Sequence, residues 1–164
     1  MMNKQGMNKR LAIGGALGGG IAVAALAGFL LTGQTAAVAG PIVEVYKTES
    51  CGCCGDWVTH LEEAGFTVKA KNVANPGDYR AKFGIPVEMG SCHTGYVAGY
   101  ALEGHVPAAE VKRLLAEKPE ARGLTVPGMP MGSPGMEGDY KDAYDVLLVK
   151  ADGSTAVYQH YSAN

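Results

Sequence analysis

Three of the protein's four cysteines fall within four consecutive positions. The stretch at residues 50–57 reads SCGCCGDW and contains Cys51, Cys53 and Cys54. A thiol–disulfide exchanger needs only two cysteines in a C-x-x-C arrangement, which here would be Cys51 and Cys54. Cys53 would then compete for the same bridge. Three thiolates on one tight turn are instead suited to soft metal ions, above all Cu(I), and can bridge several such ions.

A second group of soft ligands lies in a segment rich in glycine and proline. The sequence VPGMPMGSPGM at residues 126–136 contains Met129, Met131 and Met136. A methionine in a core recurs at helix or strand spacing, or fills a single gap. These three do neither, so we interpret them as thioether ligands directed at the cysteine turn. A thioether suits Cu(I) and cannot be lost to a disulfide.

Two further residues are predicted to belong to the site. Cys92 is the one cysteine outside the turn, and it needs either a disulfide partner or a metal ion. His105 lies just before a helix predicted to begin at Pro107. The positive end of that helix favours a neutral imidazole, which is the form that binds metal. A hydrogen-bonded surface histidine is the alternative for His105, and surface positions are also predicted for His60 and His160.

The first 39 residues are predicted to be a signal peptide. A basic start is given by Lys4, Lys9 and Arg10. An apolar run at Ile21–Leu31 follows, and AVAG at residues 37–40 has the small-x-small pattern that favours cleavage after Ala39. Leu11–Leu31 contains no charge and is long enough to span a bilayer, so a retained anchor is the alternative. Residues 40–164 are predicted to form a single metal-binding domain.

Export changes the charge of the protein and its expected partners. The chain has 14 Lys and Arg against 16 Asp and Glu, and three of the basic residues lie in the predicted signal, which leaves 11 against 16. An acidic domain without clustered Lys and Arg is a poor nucleic-acid binder, so nucleic acid is excluded as a partner. Export also implies an oxidising compartment, where cysteines pair by default. Three sulfurs so close together cannot each reach a different distant partner.

The apolar patterns predict an α/β domain. The expected order is a strand, the cysteine turn, a helix, a strand and a short helix, at Pro41–Lys47, 51–54, 57–65, Phe66–Val73 and 76–84. An extended segment, a helix, a loop and a hairpin follow, at Gly95–His105, 107–118, Gly123–Tyr140 and 144–161. Asp152-Gly153 is the predicted turn of that hairpin.

This order resembles the thioredoxin fold. In that fold the redox cysteines follow the first strand, at the N-terminus of the first helix, which is where residues 51–54 are predicted to lie. The resemblance implies a central mixed sheet with flanking helices and an insert before the C-terminal hairpin. A helix N-terminus stabilises thiolate, which is both the nucleophile and the metal ligand.

Three long stretches also resemble a known family. They read CGCCGDWVTHLEEAGF, GIPVEMGSCHTGYVAGYALEGHVPA and GLTVPGMPMGSPGMEG. They are similar to an exported metal-binding family described as a domain of unknown function, which includes the CopG-type copper-resistance proteins. The resemblance covers residues 42–160 and implies a thioredoxin-like periplasmic domain that binds a cluster of copper ions for copper tolerance. It implies that the cysteines of the turn, with Cys92, bear the cluster. His105 and residues 126–136, which we call the methionine loop, match stretches that are typical of the family.

The sequence therefore predicts a periplasmic copper-binding protein. It would hold Cu(I), with several ions per chain, for sequestration or transfer, and imidazole would let it tolerate Cu(II) or cycle the oxidation state of the metal. The predicted ligands are Cys51, Cys53, Cys54, Cys92, His105, Met129, Met131 and Met136. Copper exporters or copper chaperones are the expected partners, and the inner membrane is contacted only through an uncleaved N-terminal segment. A thiol–disulfide oxidoreductase using Cys51 and Cys54, and a structural zinc site, are the alternatives.

Overall fold

The computed structural model describes residues 40–163 of the chain, and the predicted signal peptide lies outside them. The strands are β1 Ile42–Lys47, β2 Thr67–Asn72, β3 Thr94–Val97, β4 Tyr100–Glu103, β5 Ala121–Thr125, β6 Tyr144–Lys150 and β7 Thr155–Tyr161. The α-helices are α1 Gly52–Glu63, α2 Pro76–Lys82 and α3 Ala108–Glu117, and a 3₁₀ turn covers Val87–Met89. Within the described residues, no helix is long and apolar enough to cross a membrane.

The strands form one mixed sheet in the order β2-β1-β3-β4-β5-β6-β7. β1 pairs parallel with β2 and β4 with β5, and the other neighbours are antiparallel. This confirms the predicted α/β class, with a mixed sheet, flanking helices and a C-terminal hairpin. The hairpin beside β1 is β3–β4, whereas the C-terminal hairpin β6–β7 lies at the far end of the sheet. The thioredoxin-like assignment stays a prediction.

The loop predicted from Gly123 begins later in the structure. Gly123, Leu124 and Thr125 belong to β5 and pair with β4. Position 123 needs a glycine because its backbone approaches β4 so closely that a Cβ would lie 1.9 Å from the Ala101 carbonyl oxygen. A glycine that indicates a loop in the sequence is therefore the residue that lets two strands meet here.

One hydrophobic core supports the elements that carry the predicted ligands. Val43 and Val45 alternate along β1 and are fully buried, as expected when one face of a strand packs inward. Trp57 and Leu61, four residues apart on α1, are also fully buried. The Trp57 indole N–H donates to the Val106 carbonyl over 2.9 Å. This hydrogen bond ties α1 to the segment that leads into α3.

Candidate metal centre

The predicted ligands come from segments that leave the same edge of the sheet. β1 ends at Lys47, four residues before Cys51, and β3 begins beside that end, with Tyr46 paired to Thr94. β4 runs antiparallel to β3 and ends at Glu103, directly opposite Thr94. β5 runs parallel to β4 and ends there too. The strand order therefore brings together the cysteine turn, Cys92, His105 and the methionine loop.

The cysteine turn forms the start of α1. Cys51 is the N-cap residue, and its backbone N–H donates to the Thr48 carbonyl over 3.3 Å. Cys53 and Cys54 occupy the first helical turn, where unpaired N–H groups and the helix dipole favour negative charge. Cys54 is fully buried, whereas Cys51 and Cys53 are half-buried. The cysteines thus lie at the N-terminus of the first helix, as the resemblance to the thioredoxin fold implies. The helix fixes their positions, and Cys51 and Cys53 remain accessible.

The four cysteine sulfurs lie within 4.8 Å of one another. Cys51 and Cys54 are joined by a disulfide, and Cys53 and Cys92 are free thiols. The Cys53 sulfur is 3.6 Å from the Cys51 sulfur. The structure therefore describes the site with one pair of its sulfurs oxidised and the other pair reduced.

A histidine completes the sulfur cluster. The Cys92 sulfur lies 3.1 Å from His105 Nε2. His105 Nδ1 is 2.8 Å from the Pro134 carbonyl oxygen, which can only accept, so Nδ1 carries the proton. Nε2 therefore keeps its lone pair and faces the sulfur. A backbone carbonyl that fixes the tautomer in this way is a common support for metal-binding histidines.

His93 belongs to the site, although it is not among the ligands predicted from the sequence. It is fully buried, and its Nδ1 lies 3.3 Å from the Cys92 sulfur. Its ring packs on Trp57, with the ring centroids 4.3 Å apart. Cys92, His93 and His105 form a second group within 4.8 Å, so Cys92 is shared by both groups. The only signal in the sequence was its position next to Cys92.

Burial sets the protonation of the metal-free site. It raises the pKa of Cys92 to about 11, with the nearby Cys53 adding to the effect. Burial also lowers the pKa of His93 to about 3, helped by the neighbouring His105. The pKa of His105 is lowered by burial as well, against the opposing pull of the Pro134 carbonyl. At neutral pH both imidazoles are thus ready to bind metal, and a metal ion at Cys92 must displace a proton.

The methionine loop lies against the cysteine turn through its backbone. A Cβ at Gly135 would come within 2.7 Å of the Cys53 carbonyl oxygen and 2.8 Å of the Trp57 backbone nitrogen. Met129 is 53% exposed, whereas Met131 and Met136 are half-buried. The loop thus covers the turn at Gly135, and the thioether ligands stay predictions.

The two histidines predicted at the surface differ from each other. His160 is exposed, as predicted, and it pairs with Asp145 over 2.7 Å. His60 is half-buried, and its Nε2 accepts a hydrogen bond from the Ala108 backbone N–H over 3.0 Å. The prediction for His60 was wrong because its partner, the first residue of α3, is far away in sequence. His60 caps that helix and is not a free surface group.

The donor set fits a soft metal ion. Thiolate sulfur with neutral imidazole nitrogen is typical of sites for Cu(I), and also of zinc sites. Four sulfurs within 4.8 Å can be shared between several ions once the disulfide is reduced. The half-buried Cys51, Cys53 and Cys92 leave the cluster open to an arriving ion.

Comparisons with known proteins identify the relatives of this chain. The family model described as "Protein of unknown function, DUF411" matches residues 89–136. Two solved structures of copper resistance protein CopG, Form 2 and Form 1, are each 44% identical to this chain, with TM-scores of 0.71 and 0.70. Each match covers 74% of this chain, and 98% and 97% of the CopG chains. No curated protein matches. This chain belongs to the DUF411 family of CopG-type copper resistance proteins.

Proposed function

We propose that the protein binds Cu(I) through the thiolates of Cys51, Cys53, Cys54 and Cys92. The observation that carries the proposal is the convergence of these four sulfurs within 4.8 Å, beside a neutral imidazole nitrogen of His105. The kinship with copper resistance protein CopG supports copper as the cargo. Thiolates prefer Cu(I) to Cu(II), and clustered thiolates can bridge several ions.

The disulfide makes the copper capacity dependent on the redox state of the site. Reducing the Cys51–Cys54 bridge takes two electrons and two protons and yields two thiols. The reduced protein then offers four thiols, whereas the bridged protein offers only Cys53 and Cys92. We expect the reduced form to hold more copper than the bridged form.

The remaining expectations belong to the same proposal. Imidazole at His105 lets the site tolerate Cu(II), so the bound copper can cycle between oxidation states. The thioethers of Met129, Met131 and Met136 supplement the thiolates. The protein acts in the periplasm, cut after Ala39 or anchored to the inner membrane. It serves copper tolerance by sequestering Cu(I) or by exchanging it with copper exporters or copper chaperones.

A second candidate function is thiol–disulfide exchange. The observation that favours it is the bridge between Cys51 and Cys54 at the N-terminus of α1, where a leaving thiolate is stabilised. This candidate leaves Cys53 and the two buried histidines without a role. A structural zinc site uses the same donors and predicts that bound zinc resists displacement by Cu(I).

Anaerobic Cu(I) titration tests these candidates against each other. The exported protein is reduced and titrated in competition with a Cu(I) chelator, while bound metal and free thiols are counted in the same sample. Several coppers per chain with all four thiols protected is the expected result. Weak copper binding with a reversible Cys51–Cys54 bridge would establish the oxidoreductase instead. Zinc that Cu(I) fails to displace would establish the zinc site.

A further inference from the structure

A buried ion pair holds the peptide group that precedes Cys92. Glu103, the last residue of β4, is fully buried. Its Oε1 accepts hydrogen bonds from the Ser91 backbone N–H over 2.7 Å and from Arg80 Nε over 2.8 Å. Its Oε2 accepts from the Thr94 hydroxyl over 2.7 Å. Arg80 reaches further and donates from Nη2 to the Ser91 carbonyl over 3.0 Å.

Cys92 needs such support because it lies outside regular structure. It follows the 3₁₀ turn at Val87–Met89 and precedes β3, so no strand pairing holds Ser91 or Cys92. The ion pair supplies partners for both the N–H and the C=O of Ser91, and the Ser91 hydroxyl donates to the Gly128 carbonyl. With these groups fixed, the Cα–Cβ bond of the next residue has a set direction, and it directs the Cys92 thiol towards His105 Nε2.

The neighbouring glycine makes room for this arrangement. A Cβ at Gly90 would lie 2.5 Å from Arg80 Nη1, so the guanidinium passes directly over residue 90 on its way to Ser91. Any larger residue at position 90 would displace Arg80. The approach of Arg80 to the Ser91 peptide is thus built into the backbone of this segment.

Stability alone does not account for a buried ion pair. Removing two charges from water costs several kcal/mol, and apolar residues of similar size often serve the fold as well. Arg80 and Glu103 both hydrogen-bond to the backbone of Ser91, which directly precedes a predicted copper ligand. Groups that orient a metal ligand without touching the metal have this kind of placement.

We propose that Arg80 and Glu103 are positioning residues for Cys92. They hold its thiol where it meets His105 and the three other cysteine sulfurs, and they touch neither the metal nor its ligands directly. This inference rests on the proposed copper-binding function. Loss of comparable supporting groups lowers metal affinity by about 10- to 100-fold.

The first test compares Cu(I) affinity in three variants of the reduced, exported protein. Glu103→Gln removes the charge at almost unchanged volume, and Arg80→Lys keeps the charge but cannot bridge Glu103 and Ser91. Glu110→Gln is the matched control, because Glu110 is a buried carboxylate paired with Arg113 and Tyr161 on another part of the fold. We expect the first two variants to lose about 10- to 100-fold in affinity and the control to lose none. Parental affinity in a folded Glu103→Gln or Arg80→Lys variant would overturn the proposal.

A second readout needs no metal. In the reduced, metal-free protein, the rate at which iodoacetamide alkylates Cys92 is measured by mass spectrometry relative to that of Cys53. A thiol released from its fixed direction should react several-fold faster at Cys92 in Glu103→Gln and Arg80→Lys, but not in Glu110→Gln. An unchanged ratio in both test variants would refute the positioning role.

The two readouts separate this inference from the proposed function. If the parental protein binds no Cu(I) tightly, the proposed function fails, and the alkylation ratio alone then decides the positioning role. If Glu103→Gln does not fold, Arg80→Lys carries both tests, because its side chain is 17% exposed and the variant keeps the positive charge.

Discussion

The cysteine turn and the methionine loop leave the same edge of the sheet but are held in different ways. The turn is the beginning of α1, which is fixed in the core by Trp57 and Leu61. The loop between β5 and β6 has no helix or strand and is held by hydrogen bonds within itself, such as Gly132 N–H to the Met136 carbonyl at 2.7 Å, and to its neighbours, such as His105 Nδ1 to the Pro134 carbonyl at 2.8 Å. Ligands on rigid elements keep a precise geometry, whereas ligands on loops are less precisely placed.

The two regions also differ in the charge and the burial of their sulfur ligands. A thiolate brings negative charge to Cu(I), and a thioether brings none. Met129 is 53% exposed, while Cys54 is fully buried. We therefore expect copper affinity to come mainly from the cysteines and His105, with the methionines adding a smaller share. Variants of the cysteines, His105 and the methionines test this order of contributions.

The largest effect is expected from Cys92→Ser. The Cys92 sulfur is the one atom common to the four-cysteine group and the cysteine–histidine group. Its removal should lower Cu(I) affinity by at least about 100-fold, which corresponds to about 2.7 kcal/mol. Competition with a Cu(I) chelator measures this, and Met129→Leu gives the comparison from the methionine loop. A loss no larger than that of Met129→Leu would contradict the main role of the cysteines.

Cys53→Ser should lower the number of coppers bound per chain. Cys53 lies 3.6 Å from Cys51 and is free when Cys51 and Cys54 are bridged. The variant should still form the Cys51–Cys54 bridge, since both partners are intact. Metal analysis and disulfide mapping check both outcomes. Undiminished copper stoichiometry would mean that the third cysteine of the turn does not bind metal.

His105→Gln should cost about tenfold in Cu(I) affinity, because one neutral nitrogen ligand is lost from a site that keeps its sulfurs. Its matched control is His160→Gln, since His160 is exposed and pairs with Asp145 on the C-terminal hairpin. Isothermal titration with a competing chelator compares the two variants. Equal affinities in both would remove His105 from the list of ligands.

The methionine variants are expected to have smaller effects. Met131→Leu and Met136→Leu should each change Cu(I) affinity by less than about tenfold, and the exposed Met129→Leu by less still. Chelator competition on the three variants checks the order. A methionine whose loss matched that of Cys92 would place a main ligand in the loop and contradict the comparison.

The smallest expected effect is on the stability of the fold, and it depends on pH. Burial lowers the pKa of His60 below its ordinary value of 6.5, and its neutral Nε2 caps α3. The unfolded chain takes up the proton first, so this contribution is complete above pH 6.5 and is lost as pH falls towards the folded-state pKa. His60→Leu should lower the free energy of unfolding by about 1 kcal/mol near neutral pH. Denaturant unfolding should show that gap closing in acid, and a constant gap would argue against the cap.

Local patterns were sufficient for the parts of the site that are continuous in sequence. The strand before the cysteine turn and the helix carrying Trp57 and Leu61 followed from local patterns, although the helix begins at Gly52 and so includes Cys53 and Cys54. The C-terminal hairpin followed from Asp152-Gly153, where Gly153 has a φ of +86°. These features depend on neighbours within one or two turns of chain.

Features that depend on distant partners could not be predicted. His93 follows Cys92 directly, but its place in the site depends on packing against Trp57, which is far away in sequence. The ion pair of Arg80 with Glu103 joins α2 to β4 across 23 residues. Each of these needed the order of the strands.

X-ray absorption at the copper edge, on the reduced protein loaded with Cu(I), shows directly whether the thiolates bridge several copper ions. The parental protein is compared with the Cys53→Ser variant. Thiolates that bridge several ions predict mainly sulfur neighbours and a copper neighbour in the parental spectrum, with the copper neighbour weakened in the variant. Mainly nitrogen or oxygen neighbours, or a copper environment that Cys53→Ser leaves unchanged, would contradict a thiolate cluster.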